Sequence, residues 1–156
     1  MEKFWATDGY RGLTIDGAGS VGIGRTAPQY PLHMASGAYV SPGGVWTNAS
    51  SIQYKQDVAP LSLPQALQTL DGLDPVTFRY KVDPRERHVG FVAETVPELV
   101  ATPDRKGLSA MDIVGILTKV VQYQQQELEA QGREIESLTT HLNSSNMTKR
   151  SRRYAE

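Results

Sequence analysis

The chain has 156 residues, 39% of them hydrophobic, and a formal net charge of −1, which allows one or two small domains and gives no electrostatic reason to bind nucleic acid. The absence of cysteine excludes disulfides and thiolate metal sites. No apolar run approaches the ~20 residues that span a bilayer, and no secretory pattern opens the chain, so we expect a soluble protein with no membrane partner.

Residues 1–49 are rich in glycine. Within them, Leu13–Asp16 and Val21–Gly24 alternate apolar with small or polar residues, which predicts two short strands around a Gly-Ala-Gly-Ser turn. One chain could hardly bury strands with so few large side chains, whereas glycine lets three chains approach closely around a shared axis. We therefore predict that residues 1–49 form an intertwined trimeric β structure.

The segment Gly17–Gly22 also has the spacing of a dinucleotide-binding glycine loop. Such a loop needs a helix directly after it, because the pyrophosphate binds at the helix amino terminus. Here Val21–Gly24 reads as a strand and Pro28 follows soon after. We therefore expect no nucleotide and no other cofactor.

A junction follows the glycine-rich segment. Ser50 stands directly after Ala49, and Lys55 comes five residues later. If Lys55 is neutral it can take the Ser50 hydroxyl proton, and the resulting alkoxide can attack the carbonyl of Ala49. The adjacent Ser51 is a rival nucleophile. The pattern predicts a Ser/Lys dyad that cuts the chain between Ala49 and Ser50.

The region after Lys55 predicts a small α+β domain. Ser62 and Gln65 form a capping-box pattern at the start of a helix over 63–70. Val76–Tyr80 alternates like a half-buried strand, and the polar residues 83–87 suggest a turn into a second strand over 88–93. His88 opens that strand, where it either makes a structural hydrogen bond or supports the cleavage site.

A long helix is predicted after Ser109, which forms another capping-box pattern with Asp112. Its residues repeat in steps of three and four, which defines a heptad seam. A helix packed only on its own domain explains the first two turns; beyond Tyr123, polar residues surround the seam, so we predict a trimeric coiled coil, weakened by Gly132. The seam consists of Val114, Leu117, Val121, Gln124, Leu128, Gln131, Ile135, Leu138 and Leu142.

The remaining residues, 143–156, predict a flexible tail. Asn143–Asn146 is typical of a helix end, and 149–153 is a basic cluster. We interpret the cluster as a solvated terminus rather than a nucleic-acid contact, because aromatic residues are not interleaved with it. His33, His88 and His141 lie far apart in the sequence, so we expect no metal site.

Several motifs occur in the order found in a known family. The chain resembles the C-terminal intramolecular chaperone auto-processing domain of phage tail spikes, tail fibres and endosialidases, which is similar to a segment of myelin regulatory factor. The likeness extends over about residues 50–130, and the glycine-rich stretch before it looks like the repeats of phage fibres. The motifs are Ser50–Lys55, Ala66–Lys81, His88–Glu94 and Val96–Val100.

The resemblance implies a homotrimeric chaperone that guides folding of the fibre shaft in the same chain, including β-helix architectures, and then removes itself as a single-turnover serine peptidase. It places the nucleophile at the serine five residues before the lysine, which is Ser50, and implicates His88 as a supporting residue. It also implies a virion tail fibre or spike precursor, assembled in the host cytoplasm.

The chemistry sets two physical conditions. A lysine of ordinary pKa, ~10.4, is protonated at neutral pH, so Lys55 must lose its water or lie near positive charge before it can act as a base. Residues five apart lie on opposite faces of a strand and ~140° apart on a helix. Ser50 and Lys55 can therefore meet only across a bend or between two chains, which would make cleavage depend on correct folding and assembly.

Together the segments predict an α+β chain with a shaft end over 1–49, a chaperone domain over 50–108, a coiled-coil helix over 109–142 and a tail over 143–156. A permanent trimeric foot of a fibre, without proteolysis, is the alternative function. A fragment of a membrane-anchored transcription factor, as in the eukaryotic relatives, is a weaker alternative because neither a DNA-binding domain nor a membrane helix is predicted.

Overall fold

A computed structural model describes residues 2–4 and 12–153, with side chains for residues 12–145. The chain divides into two compact units between Ala59 and Pro60. The first contains a β-sheet, and the second contains two helices and a hairpin. The predicted α+β class and the long carboxyl-terminal helix are confirmed, whereas the intertwined trimeric shaft and the coiled coil stay predictions.

Six short strands of the described chain form a mixed sheet in the first unit: β1 Glu2–Phe4, β2 Leu13–Ile15, β3 Val21–Ile23, β4 Leu32–Met34, β5 Tyr39–Val40 and β6 Trp46–Thr47. Neighbours in the sheet follow chain order and pair antiparallel, except that β3 and β4 pair in parallel. β2 and β3 match the two strands predicted from residue alternation.

One face of this sheet is apolar. Residues opposite each other on paired strands share a face, and the register places Thr14, Gly22 and His33 together on the other, buried face. The unit thus buries a polar row and leaves apolar side chains half-buried or exposed. This apolar sheet face consists of Leu13, Ile15, Val21, Ile23, Leu32, Met34, Val40 and Trp46.

Three hairpin turns in the sheet have the same construction, over Asp16–Ser20, Met34–Ala38 and Ser41–Val45. In each turn of five residues, the N–H of the first residue donates to the carbonyl of the fifth residue at 2.8–3.0 Å. The N–H of the fourth residue donates to the carbonyl of the first residue at 2.9–3.1 Å. The fourth residue is Gly19, Gly37 or Gly44, with φ of +84°, +88° and +80°. The fourth residue of such a turn has a left-handed backbone conformation, which glycine adopts without steric strain. Gly17–Gly22 is therefore a hairpin turn followed by a strand.

His33 is buried at 3% exposure on the polar face of the sheet. Its Nδ1 accepts the Gln29 backbone N–H at 3.1 Å. Its ring meets the stacked pair Tyr30 and Tyr39 edge-on, with centroids 5.0 and 6.0 Å away. Burial lowers the pKa of His33, and the charge of Arg25 lowers it further. The folded unit therefore holds this histidine in its neutral form.

The second unit begins with helix α1, Leu63–Asp71, as predicted. Ser62 caps it: its Oγ accepts the Gln65 N–H at 3.4 Å and donates to Gln65 Oε1 at 2.7 Å. A hairpin of β7, Val76–Tyr80, and β8, Asp83–Gly90, follows.

The predicted turn over residues 83–87 is wrong, as is the predicted extent of the second strand, 88–93. Tyr80 pairs directly with Asp83, so the bend lies at Lys81 and Val82, and β8 ends at Gly90. Pro84 sits in the second position of a strand that is paired on one side, where its missing N–H costs no ladder bond.

Helix α2, Ala110–Arg153, packs on α1. Its inward face carries Ile116 and Val120, at 3% and 2% exposure, and Ile116 joins the core formed with Leu73, Val96 and Val100. The apolar residues of the heptad seam are all exposed. The helix therefore packs within its domain through residues that lie outside the heptad seam. This is true of its first two turns as well.

The predicted helix end at Asn143–Asn146 is wrong, because α2 continues through Gly132 and these residues to Arg153. Hydroxyls in this part of the helix bond back to the previous turn: those of Thr140 and Ser144 donate to the carbonyls of Glu136 and Thr140 at 2.9 Å. Among the described helices, none is both long and apolar enough to cross a membrane.

The neutral, buried His33 predicts acid sensitivity of the first unit. Its folded-state pKa is lowered, so the unfolded chain takes up a proton first, near pH 6.5, and stability present above that pH is lost as the pH falls below it. His33→Asn places an amide oxygen where Nδ1 accepts and does not titrate. The melting temperature, followed by tryptophan fluorescence, should fall between pH 7 and 5 in the wild-type chain and stay flatter in the variant. Equal slopes would contradict the assignment.

Candidate active site

One 3-10 turn lies at the junction between the sheet and the rest of the chain. The turn spans Ile52–Tyr54 and begins at Ser51, whose Oγ accepts the Gln53 N–H at 3.3 Å. Tyr54 and Lys55 donate their N–H groups to the carbonyls of Ser51 and Ile52, each at 3.1 Å. The chain is extended at Ser51 and again at Lys55. The chain therefore bends between Ser50 and Lys55.

The bend brings the two predicted dyad side chains together. Lys55 Nζ donates to Ser50 Oγ at 2.9 Å within one chain. The rival hydroxyl of Ser51 is instead bonded to the turn that it caps. Of the two serines, Ser50 is thus the one that contacts the lysine. Of the two geometries expected from the spacing, a bend or a neighbouring chain, the single chain adopts the bend.

Ser50 and Lys55 are both exposed in this single chain. A general base must accept the hydroxyl proton, which an amine can do only in its neutral form. The contact provides the distance that such a transfer would need.

Ala49, on the amino-terminal side of the predicted cut, is half-buried against a turn of the sheet. A Cβ placed on Gly37 would lie 3.2 Å from Ala49 Cβ and 3.7 Å from Tyr54 Cε2. At the end of β6, Trp46 Nε1 donates to Asn48 Oδ1 at 2.7 Å. Ala49 is thus contacted by the sheet, while Ser50 is contacted by Lys55.

Sequence reasoning did not single out Gly37 or Tyr54. A signal for the turn was present, since glycine stands three residues after Asp16, Met34 and Ser41 in the three equivalent turns. The contact with Ala49 left no signal, because it joins residues that are distant in sequence and depends on how β4, β5 and β6 pair.

His88 belongs to the second unit, on strand β8. Its ring contacts Phe78 and Tyr80, with centroids 5.7 and 5.1 Å away, and its Nε2 is 4.0 Å from Glu86 Oε2. The side chain is 32% exposed. These contacts give His88 a packing role in the hairpin, and its supporting role in cleavage stays a prediction. Within the described part of the chain, no cluster of His, Asp or Glu side chains could hold a metal ion.

Comparison with protein families gives one match, to the model of Peptidase_S74, described as chaperone of endosialidase, over residues 50–103. The match begins at Ser50, the residue that accepts the Lys55 hydrogen bond. Neither the curated proteins nor the solved structures contain a significant match. Over residues 50–103, therefore, the chain is similar to the chaperone-of-endosialidase family.

Proposed function

We propose that this chain is an intramolecular chaperone that trimerises, guides the folding of a phage tail fibre or spike, and then cuts itself off between Ala49 and Ser50. The observation that carries the proposal is the 2.9 Å hydrogen bond from Lys55 to Ser50 at the first residue of the family match. The family name joins a peptidase with a chaperone, which are the two activities proposed here.

The proposed reaction is an acyl transfer within the chain. Neutral Lys55 takes the Ser50 hydroxyl proton, and Ser50 Oγ attacks the carbonyl carbon of Ala49. The bond from that carbon to the Ser50 nitrogen breaks, and the nitrogen receives the proton from Lys55. Water then hydrolyses the ester between Ala49 and Ser50 Oγ, which leaves residues 1–49 with a new carboxylate and a second product that begins at Ser50.

The exposure of Lys55 indicates what would control this reaction. Removal of water around a lysine favours its neutral form, because a buried ammonium loses its hydration. In the single chain Lys55 is exposed, so we propose that burial by neighbouring copies provides the missing desolvation. Cleavage would then follow only after assembly.

Two apolar surfaces support assembly from copies of this chain. The heptad seam of α2 is exposed, whereas the helix packs on its own domain through Ile116 and Val120. An exposed apolar seam with period 3.5 is the signature of a helix that pairs with other helices. In the first unit, the apolar sheet face exposes Leu13, Ile23 and Trp46, as expected of strands that pack against other chains in a shaft.

The proposed sequence of events has a physical purpose. The coiled coil gives three glycine-rich segments a common starting point, and removal of the chaperone then takes away the route by which the fibre would unwind. The product would be kinetically trapped. We further propose a shaft end over 1–49, a chaperone domain over 50–108 and a helix from 109, in a virion tail precursor that assembles in the host cytoplasm.

A permanent, uncut trimeric foot is the second candidate. The exposure of Lys55 favours it, since the single chain does not provide the desolvation that a lysine base needs. Both candidates require the trimer, and only the first requires a cut.

Self-cleavage predicts two products from the wild-type chain, residues 1–49 and residues 50–156. Ser50→Ala lacks the nucleophile and should give only the full-length mass. Ser51→Ala keeps the nucleophile and loses only the cap of the bend, so it should still be cut, although more slowly. Intact-mass spectrometry of freshly purified protein distinguishes these results. A wild-type chain that stays whole under native conditions would support the permanent foot.

The identity of the base can be tested with Lys55→Arg. Arginine keeps the positive charge but does not deprotonate in proteins. The variant should trimerise normally and be cut at least about 100-fold more slowly, since positioned general bases contribute about 10²–10⁴ in rate. Rates are taken from a time course of intact masses. A wild-type rate would exclude Lys55 and make His88 the leading candidate.

The dependence of cleavage on assembly can be tested on the seam. Glutamates at Leu117 and Val121 would bring like charges together where three helices converge and should prevent association. The control, Thr118→Glu with Gln122→Glu, adds the same charge one position further along, outside the seam. Light scattering should show a monomer for the first variant and a trimer for the second, and a denaturing gel should show cleavage only in the second. A folded monomer that cuts itself would overturn the requirement for assembly.

A further inference from the structure

The turn Met34–Ala38 differs from its two equivalents in what lies against it. A Cβ added to Gly19 or Gly44 would meet no atom within 4 Å. The same atom on Gly37 would be 3.2 Å from Ala49 Cβ, tighter than most contacts between real Cβ atoms, and 3.7 Å from Tyr54 Cε2. All three glycines have the same backbone role and nearly the same φ.

The two neighbours of Gly37 both belong to the junction. Ala49 carries the carbonyl that Ser50 would attack, and Tyr54 lies in the 3-10 turn that brings Lys55 to Ser50. Gly37 is held by its own hydrogen bond to Met34, at 3.0 Å, in a hairpin whose strands pair on both sides. A firmly held turn thus abuts the residue before the proposed cut.

We propose that Gly37 and the Tyr54 ring form a seat that accepts only a small side chain at residue 49, and so determine specificity on the amino-terminal side of the cut. The inference rests on the proposed self-cleavage at Ala49–Ser50. A larger side chain at position 49 displaces its own carbonyl from Ser50 Oγ, and a methyl group on Gly37 displaces Ala49 in the same way. Gly37 is a positioning residue, since it acts through Ala49.

Cleavage rates test the seat. Ala49→Leu and Gly37→Ala should each slow cleavage by about 10- to 100-fold, the cost of a misplaced reacting group. Gly44→Ala and Gly19→Ala are matched controls. Each places alanine in the same left-handed backbone conformation, but the added Cβ contacts no other atom. Both should be cut like the wild type. In Gly37→Ala, the second substitution Ala49→Gly removes the opposing methyl group and should restore the rate of Ala49→Gly alone.

A second measurement does not require cleavage. In the uncuttable Ser50→Ala chain, urea unfolding followed by tryptophan fluorescence should show that Gly37→Ala and Ala49→Gly are coupled, whereas Gly44→Ala and Ala49→Gly are additive. Absence of coupling overturns the seat, whether or not the wild type is cut. A cut wild type with Gly37→Ala equal to Gly44→Ala overturns the role in specificity alone. An uncut wild type overturns the proposed function, and the specificity role with it, even if the coupling is present.

Discussion

A lysine and a serine that are five residues apart meet in this chain because one turn of 3-10 helix lies between them. The hydrogen bond from Lys55 Nζ to Ser50 Oγ, at 2.9 Å, depends on this bend, since neither a strand nor an α-helix would place the two side chains on the same side. Ser51 stabilises the bend as its cap. The two adjacent serines therefore make different contacts: Ser51 caps the bend, and Ser50 accepts the hydrogen bond from Lys55.

Both side chains of this hydrogen bond are exposed in the single chain. Water around a lysine favours its charged form, and removal of that water favours the neutral form that a base requires. Under the proposed function, burial of Lys55 by neighbouring copies would therefore make cleavage depend on assembly.

Each unit leaves an apolar surface open. In the first unit the sheet buries Thr14 and His33 and exposes apolar side chains on its other face. In the second, α2 buries Ile116 and Val120 within its domain and exposes the seam. A chain that only needed to fold alone would bury these residues first, because burial of apolar area is the main favourable contribution to folding. Under the proposed function, further copies of the chain would cover these two surfaces.

The sequence by itself determined the local elements and the candidate residues. Alternation predicted β2 and β3, the capping box predicted α1, the family motifs pointed to Ser50, and heptad spacing marked the exposed stripe of α2. These features depend on neighbours within a few residues. Tertiary structure decided the rest: that Ser50 and Lys55 meet within one chain, that α2 packs inward through Ile116, and that Gly37 abuts Ala49. Local signals also failed where α2 continued past Asn143 and where a strand that is paired on one side accepted Pro84. In each case the outcome depends on which surfaces and hydrogen-bonding groups come together in space, and residue spacing along the chain does not encode that.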